Sequence, residues 1–490
     1  MQRNNKFFIF FVFCVLLTIA FLKHIPNIPA DKVDNSDIQK TKKINTREKI
    51  KIDRIILVSI DTLRKDHLSF TGYPLETSPF IDGLSENGLN FSNAFSHNSV
   101  TPPASASVFT SLYPLQHGLF DFDTKKPDNS YLMLAEFLKE KGFKTAAFTS
   151  LDHASLGNNF QGFDTYSIPK KIRAADKTFG LALNWLDEIK KNDKFFVWTH
   201  IDDPHGFFKS EKKYYEKISK MIDNKPGEDE FLNYLFNEQK IDLDCTDGLP
   251  LPAKRYQHTK EEILDKIIDY DAKINFVDNE FEKFYNELTK RGLNKNILWI
   301  ITSEHGEGLC SHNHAYHGTH IYNELLKVPL IFYFSDMEIN KNIDKIVEHI
   351  DVLPTVAELV GFDLSKQIKS IQGTSLLTFL DDKPSFPDKY AFSQRRYYSE
   401  NSDFKDKGKM FSLQNEKYKY ILNEHKQDEF YNLIDDPHEL NNLINKNISQ
   451  KDEFKKEILK RIAKFTDTNN IINTKDKELE KKLENLGYFK

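Results

Sequence analysis

At 490 residues and a formal net charge of −5, the chain is longer than one small hydrophobic core requires and is nearly balanced in sign. Its 39% hydrophobic share, 13% of all residues being aromatic, suffices for a large core, and its lysines alternate with acidic residues, which excludes a basic nucleic-acid stripe. Three cysteines without zinc spacing argue against cysteine chemistry: Cys14 sits in an apolar run, and Cys245 and Cys310 are left to pair or not.

Residues 7–22 are apolar except for Thr18 and follow Arg3 and Lys6. A signal peptide and a signal anchor share this charge layout. Thr18-x-Ala20 is a poor cleavage site, so residues 1–23 are expected to stay as a membrane anchor. The rest is then exported, and the catalytic part is expected to be extracytoplasmic. Residues 24–50 are polar and read as a tether. From residue 51 strand-like and helix-like segments alternate, which predicts a mostly parallel sheet with helices on both faces. Short apolar runs predict buried strands at 55–60, 145–149, 195–199, 297–302 and 329–334. Tyr131, Leu134, Ala135 and Leu138 share one helical face that Gly142 terminates. Ala182, Trp185, Leu186 and Ile189 form a second stripe. A third, from Ile263 through Ile267, Tyr270, Ile274, Val277, Phe281 and Phe284 to Leu288, predicts a helix of about seven turns. Residues 206–258 are polar and without a period, and read as an insertion. The catalytic domain is expected over 51–384. A smaller α+β subdomain is expected over 385–490, with strand-like pieces around 418–422 and an amphipathic helix over 452–465.

In open parallel sheets, ligands bind beyond the carboxyl ends of the strands. Three predicted strand ends carry carboxylate or imidazole: Asp61 after the first, His200, Asp203 and His205 after the third, Glu304 and His305 after the fourth. Singly, each has an ordinary reading as a turn former, a cap or a hydrogen-bonded histidine. Their coincidence points to a site for a divalent ion, with zinc, manganese, magnesium and calcium all compatible with carboxylate, imidazole and hydroxyl donors. Thr101, before Pro102-Pro103, opens a helix. Alone it reads as an N-cap; at a metal site its hydroxyl becomes a nucleophile facing an anion-binding helix end. His312, His314, His317 and His320 crowd the next loop and read as a second metal site, an anion clamp or a polar loop, with His317 foremost.

From about Arg54 to the C-terminus these residues resemble the sulfatase family of the alkaline phosphatase superfamily. The resemblance rests on Ser59-Ile60-Asp61-Thr62-Leu63-Arg64 and on Thr77-Ser78-Pro79 through Gly88-Leu89-Asn90-Phe91. It continues in Ala106-Ser107-Val108-Phe109-Thr110 to His117-Gly118 and in His200-Ile201-Asp202-Asp203-Pro204-His205. Ser303-Glu304-His305-Gly306-Glu307, His317-Gly318-Thr319-His320 to Lys327-Val328-Pro329, and Leu486-Gly487-Tyr488 complete it. The resemblance implies a metal held by Asp61, Thr101, Glu304 and His305. It also implies that Thr101 is the nucleophile, with His200, His205, His317 and Lys327 steadying charge and protonating the leaving oxygen; Arg64 is a further possible clamp. The implied substrate is an anionic ester: a sulfated or phosphorylated glycan, a lipid headgroup or a small molecule.

The chain departs from the family pattern in two places. Thr101-Pro102-Pro103-Ala104-Ser105 stands where sulfate-cleaving members carry Cys/Ser-x-Pro-x-Arg, so formylglycine cannot form and its supporting arginine is Ser105. Glu304 stands where aspartate is usual. Threonine turns the expectation towards phosphate esters or diesters. An envelope phosphoglycerol- or phosphoethanolamine-type transferase and a non-catalytic binding module are the two alternatives.

Overall fold

Fifteen strands, among the described residues, divide into one large sheet, one small sheet and one two-stranded ribbon. The computed structural model describes residues 50–121, 131–151, 160–205, 209–246, 255–366, 371–396 and 408–467. Everything from Ile50 onward belongs to one compact unit, while Met1–Lys49 falls in another that lies outside the described residues. The expected anchor (1–23), almost all of the tether (24–50) and Leu486-Gly487-Tyr488 therefore lie outside the description. The expectation of a transmembrane helix is corrected: among the described residues no helix is long and apolar enough to cross a membrane.

In chain order the strands are β1 (Arg54–Ile60), β2 (Leu89–Phe95), β3 (Phe143–Thr149), β4 (Thr165–Ser167), β5 (Lys194–Ile201), β6 (Asp244–Thr246), β7 (Arg255–Gln257) and β8 (Ile297–Thr302). There follow β9 (Lys327–Val328), β10 (Leu330–Phe334), β11 (Lys341–Glu348), β12 (Ala391–Gln394), β13 (Met410–Gln414), β14 (Tyr418–Asn423) and β15 (Glu429–Asn432). The large sheet runs β11-β2-β10-β8-β1-β5-β3-β4, with β9 also on β2. It is parallel except at β9 and β10. The strand expected at 329–334 is β10, and Pro329, which has no N–H to give a ladder, separates it from β9.

The central strands are buried on both faces, as their unbroken apolar runs require. Ile56, Val58 and Ile60 of β1 point into one core layer and Ile55 and Leu57 into the other. Helices α1 (Pro79–Glu86), α4 (Ala175–Leu186), α5 (Lys212–Asn224) and α6 (Lys260–Lys290) cover the first face, and α2 (Thr101–Thr110), α3 (Leu134–Glu140) and α7 (Val352–Leu359) the second. The 31-residue α6 is the long predicted helix. Thr259 accepts from Glu262 N at 3.2 Å while Glu262 accepts from Thr259 N at 3.0 Å, a reciprocal cap.

The insertion is not merely a loop. It contains α5, which packs Tyr214, Ile218 and Ile222 into the core, and the β6–β7 ribbon. Cys245 of β6 is disulfide-bonded to Cys310, so the insertion is tied to the loop after β8. Beyond residue 390, the antiparallel sheet β12-β13-β14-β15 packs on α8 (Gln450–Asp467) through Phe392, Phe430, Phe454 and Ile458.

Candidate active site

Parallel pairing sets the geometry of the site. β1 lies between β5 and β8 with Ser59 opposite both His200 and Thr302, so the carboxyl ends of three strands finish level. Asp61, His200, Glu304 and His305 are thereby brought from distant parts of the chain to one buried point. Gly306 turns the backbone immediately afterwards: a Cβ there would lie 1.9 Å from the Glu324 carbonyl oxygen, so only glycine fits.

Thr101 arrives from the other side as the first residue of α2. Val100, not Thr101, is the N-cap, with φ −139° and ψ 148°. The hydroxyl is therefore not spent on capping. It donates towards Asp61 Oδ2 at 3.1 Å and Oδ1 at 3.3 Å, with His305 Nε2 also at 3.3 Å. Asp61, His200 and Glu304 each offer a ligand atom within 4.8 Å of the others. His200 Nε2 is 3.7 Å from both Asp61 Oδ2 and Glu304 Oε1, and His305 Nε2 is 3.5 Å from Asp61 Oδ1.

These donors fit a divalent cation. Both ring nitrogens of His200 and Glu304 Oε2 are buried without hydrogen-bond partners, an arrangement that is costly unless something fills it. His305 Nδ1 is 2.8 Å from the Gly306 carbonyl; donating there, it leaves the Nε2 lone pair facing the site. Burial pushes the Asp61 carboxyl up, but His305, His200, His205 and His317 outweigh it and hold it at about 2. Burial, reinforced by neighbouring imidazoles, brings His305, His317 and His205 each down to about 4. An ionised carboxylate among neutral imidazoles is the protonation state that metal ligation needs. Burial raises the Glu304 carboxyl, with the charge of Asp61 adding to it and His200 opposing it.

The remaining expected residues separate. His317 faces the site, its ring centroid 4.5 Å from that of His305 and 5.0 Å from that of His205. Its Nδ1 is 3.1 Å from Glu307 Oε1. The other three loop histidines gather elsewhere: His312 and His320 share Glu324 Oε1 at 2.7 and 3.0 Å, and His314 stacks on His320. Arg64 is buried and holds Asp66, Ser311 and the carbonyls of Glu307 and Gly308, so it braces the loop after β8 and is not a free clamp. Lys327 does not join the cluster: it lines a polar cleft with Lys65.

Two acidic residues escaped the sequence reading. Glu307 lay inside the Ser303–Glu307 motif, but its bond to His317 crosses a loop whose fold the motif does not specify. Asp202 is buried beside the site with Oδ1 unpartnered, and burial, Asp61 and Asp203 push its carboxyl well up. Its neighbour Asp203 turns instead to Ala175 N at the start of α4. Ser105 Oγ is 3.5 Å from Glu304 Oε1, so two of the three residues that depart from the resembled pattern touch each other.

The profile described as Sulfatase matches residues 53–362, and that described as N-sulphoglucosamine sulphohydrolase, C-terminal, matches residues 312–468. The uncharacterized sulfatase YidJ of Escherichia coli (strain K12) is 25% identical over 425 residues, spanning 76% of this chain and 79% of that protein. A protein solved in complex with its substrate D-glucosamine-2-N,6-O-disulfate superposes with a TM-score of 0.65 at 19% identity, covering 86% of this chain and 99% of that one. The phosphonate monoester hydrolase of Agrobacterium radiobacter also gives 0.65, at 17% identity, over 85% and 95% of the two chains.

Proposed function

The chain belongs to the sulfatase family and is an ester hydrolase of its sulfate and phosphate class; within that class we propose a metal-dependent enzyme whose nucleophile is Thr101. The observation that carries this reading is the Thr101 hydroxyl, uncapped, buried, and 3.1 Å from Asp61. Asp61, His200, Glu304 and His305 would hold the ion, with Thr101 Oγ1 beside them. When bound, it would lower the hydroxyl pKa and offset charge on the ester oxygens.

The residues supply the rest. Asp61 and His305 lie within reach of the Thr101 proton. As Oγ1 bonds to phosphorus or sulfur in line, the bond to the leaving oxygen breaks opposite it. The dipole at the start of α2 favours the anion there; Pro102 and Pro103 carry no N–H, so no row of backbone donors assists it. His205 and His317 stand where that anion must sit. Its negative charge raises their proton affinity, which makes a protonated imidazole available to the leaving oxygen. Water then hydrolyses the threonine ester, since threonine has no aldehyde hydrate through which to eliminate the group.

That last constraint favours a phosphate ester. A second reading, a sulfated sugar, is favoured by the relative solved with D-glucosamine-2-N,6-O-disulfate. The Cys245–Cys310 bridge supports a compartment more oxidising than the cytoplasm. Turnover of nitrophenyl phosphate, nitrophenyl sulfate and a nitrophenyl phosphodiester, each with Thr101→Ala as control, tests the reading. Metal-dependent cleavage that vanishes in the variant supports it; activity retained by the variant overturns it.

A further inference from the structure

A cleft of about 530 Å³ opens where the outer edge of the large sheet meets the C-terminal sheet. Neither Thr101, Asp61, Glu304 nor any of the imidazoles facing them lines it. Its size is that of a small-molecule site.

The charges on its walls do not cancel. Arg64 is paired with Asp66 at 2.6 Å, Glu324 is taken by His312 and His320, and Glu439 by Lys419 at 2.6 Å. Three ammonium groups remain, the exposed Lys240 at the rim and two deeper ones. Lys65, buried, donates only to the carbonyls of Phe91 and Ser92, at 2.8 and 2.6 Å. Lys327 has, among the described residues, neither a hydrogen bond nor an ion pair. Both line the same cleft, and both are pushed down in pKa, by burial first and, at Lys65, by Lys327 as well. Asp344, and Asp66 at Lys327, act in the opposite sense but form no ion pair with either lysine, and an anion between the two would lower the cost of burying them.

The wall beside them is made of amides and a hydroxyl. Asn90 Nδ2 and Ser92 Oγ both donate to Asn342 Oδ1, at 3.1 and 2.6 Å. Asn90 Oδ1 is left buried without a partner, an acceptor facing no donor. Asn323 and Asn415 line the same space. Side-chain amides present donor and acceptor together, which matches vicinal sugar hydroxyls, whereas an inorganic anion needs only the lysines.

We propose that this cleft is a second ligand site, separate from the nucleophile, for a sugar carrying a sulfate or phosphate ester. The ester would sit between Lys65 and Lys327 and the hydroxyls against Asn90 and Asn342. It would bind without chemistry, since Thr101 and the residues that surround its hydroxyl lie elsewhere. For a polymeric substrate it would hold one charged unit while another is at Thr101.

Calorimetric titration of the full chain carrying Thr101→Ala, with glucosamine 6-sulfate, glucosamine 6-phosphate, unsubstituted glucosamine and inorganic sulfate, tests this. At least one of the sugar esters is expected to occupy a site that Lys327→Met weakens tenfold or more and His205→Ala leaves unchanged. Whichever ester binds there identifies the anion. Asn342→Ala, at an exposed position, is expected to weaken the sugar ester but not inorganic sulfate. Superimposable isotherms with and without Lys327→Met, in protein with an unchanged melting transition, overturn the site. Equal binding of unsubstituted glucosamine overturns the anionic part, and equal binding of inorganic sulfate overturns the sugar part. Because the readout is binding that survives His205→Ala, its failure is distinct from failure of the Thr101 reading.

Discussion

Thr101 Oγ1 lies 3.1 Å from Asp61 Oδ2, although forty residues separate them along the chain. The contact exists because Val100 takes the N-cap, leaving the threonine side chain to turn inwards at a helix end that favours anions. The hydroxyl is held there by a carboxylate and an imidazole and takes no part in capping the helix.

Thr101→Ala is therefore expected to fold normally and to lose at least about 10³-fold in kcat, the scale of removing a nucleophile. Thr101→Ser should keep measurable turnover. Steady-state kinetics with an unchanged melting curve would check both, and full activity in Thr101→Ala would remove the nucleophile from the scheme.

Chelation should inactivate the enzyme, and re-addition of one divalent ion should restore it. The ion should also stabilise the fold, by about 2.7 kcal/mol at a hundredfold excess over Kd. Glu304→Gln and His200→Ala should each diminish both effects, because their unpartnered buried atoms converge on the same point. Metal analysis together with thermal melting reads this out without relying on turnover. A melting curve indifferent to every divalent ion tested would count against the site.

Glu307 positions His317 through the hydrogen bond to its Nδ1. With Nδ1 held by the carboxylate, the opposite ring nitrogen is the one presented to the site. Glu307→Ala is expected to lower kcat about 10- to 100-fold while KM and metal affinity stay near their starting values. The pH profile should shift as well, since burial raises the Glu307 carboxyl to about 7 and the variant removes that titration. A change confined to stability would show the pair to be structural only.

His312 gives a pH dependence of folding that is independent of catalysis. Burial disfavours its charge, but Glu324 at 2.7 Å outweighs burial and raises the imidazole to about 9. A histidine whose folded pKa exceeds the unfolded value near 6.5 stabilises fully below about pH 6.5, and the contribution disappears as pH rises through about 9. The amount at stake is on the order of 3 kcal/mol. Urea unfolding at pH 6 and pH 9.5 should show this fall in the native chain and a smaller one in His312→Gln. Parallel behaviour of the two proteins would assign the fall to other groups.

Much of this was legible in the residues themselves. Apolar runs and helical periods are short-range properties, and they marked the central strands, α6 and α8 because burial on one or two faces leaves a periodic trace. Asp61, Glu304 and His305 could be singled out because each follows such a run directly. Threonine at 101 excluded formylglycine by its chemistry alone.

Tertiary structure decided the rest. The pairing of His200 with Asp61 and Glu304 depends on which strands are neighbours and in what register, and nothing local encodes the order β8-β1-β5. Among the four loop histidines the sequence put His317 foremost but could not assign partners: Glu324 gathers two of them and Glu307 holds His317, through contacts that depend on how the loop closes over Gly306. Lys327 matched a motif but faces a different cavity, because β9 pairs with β2 and carries it to the outer edge of the sheet. Periodicity reports which side chains are buried. Which of them meet is settled by long-range packing, where a shift of one residue in register would place a different set of atoms together.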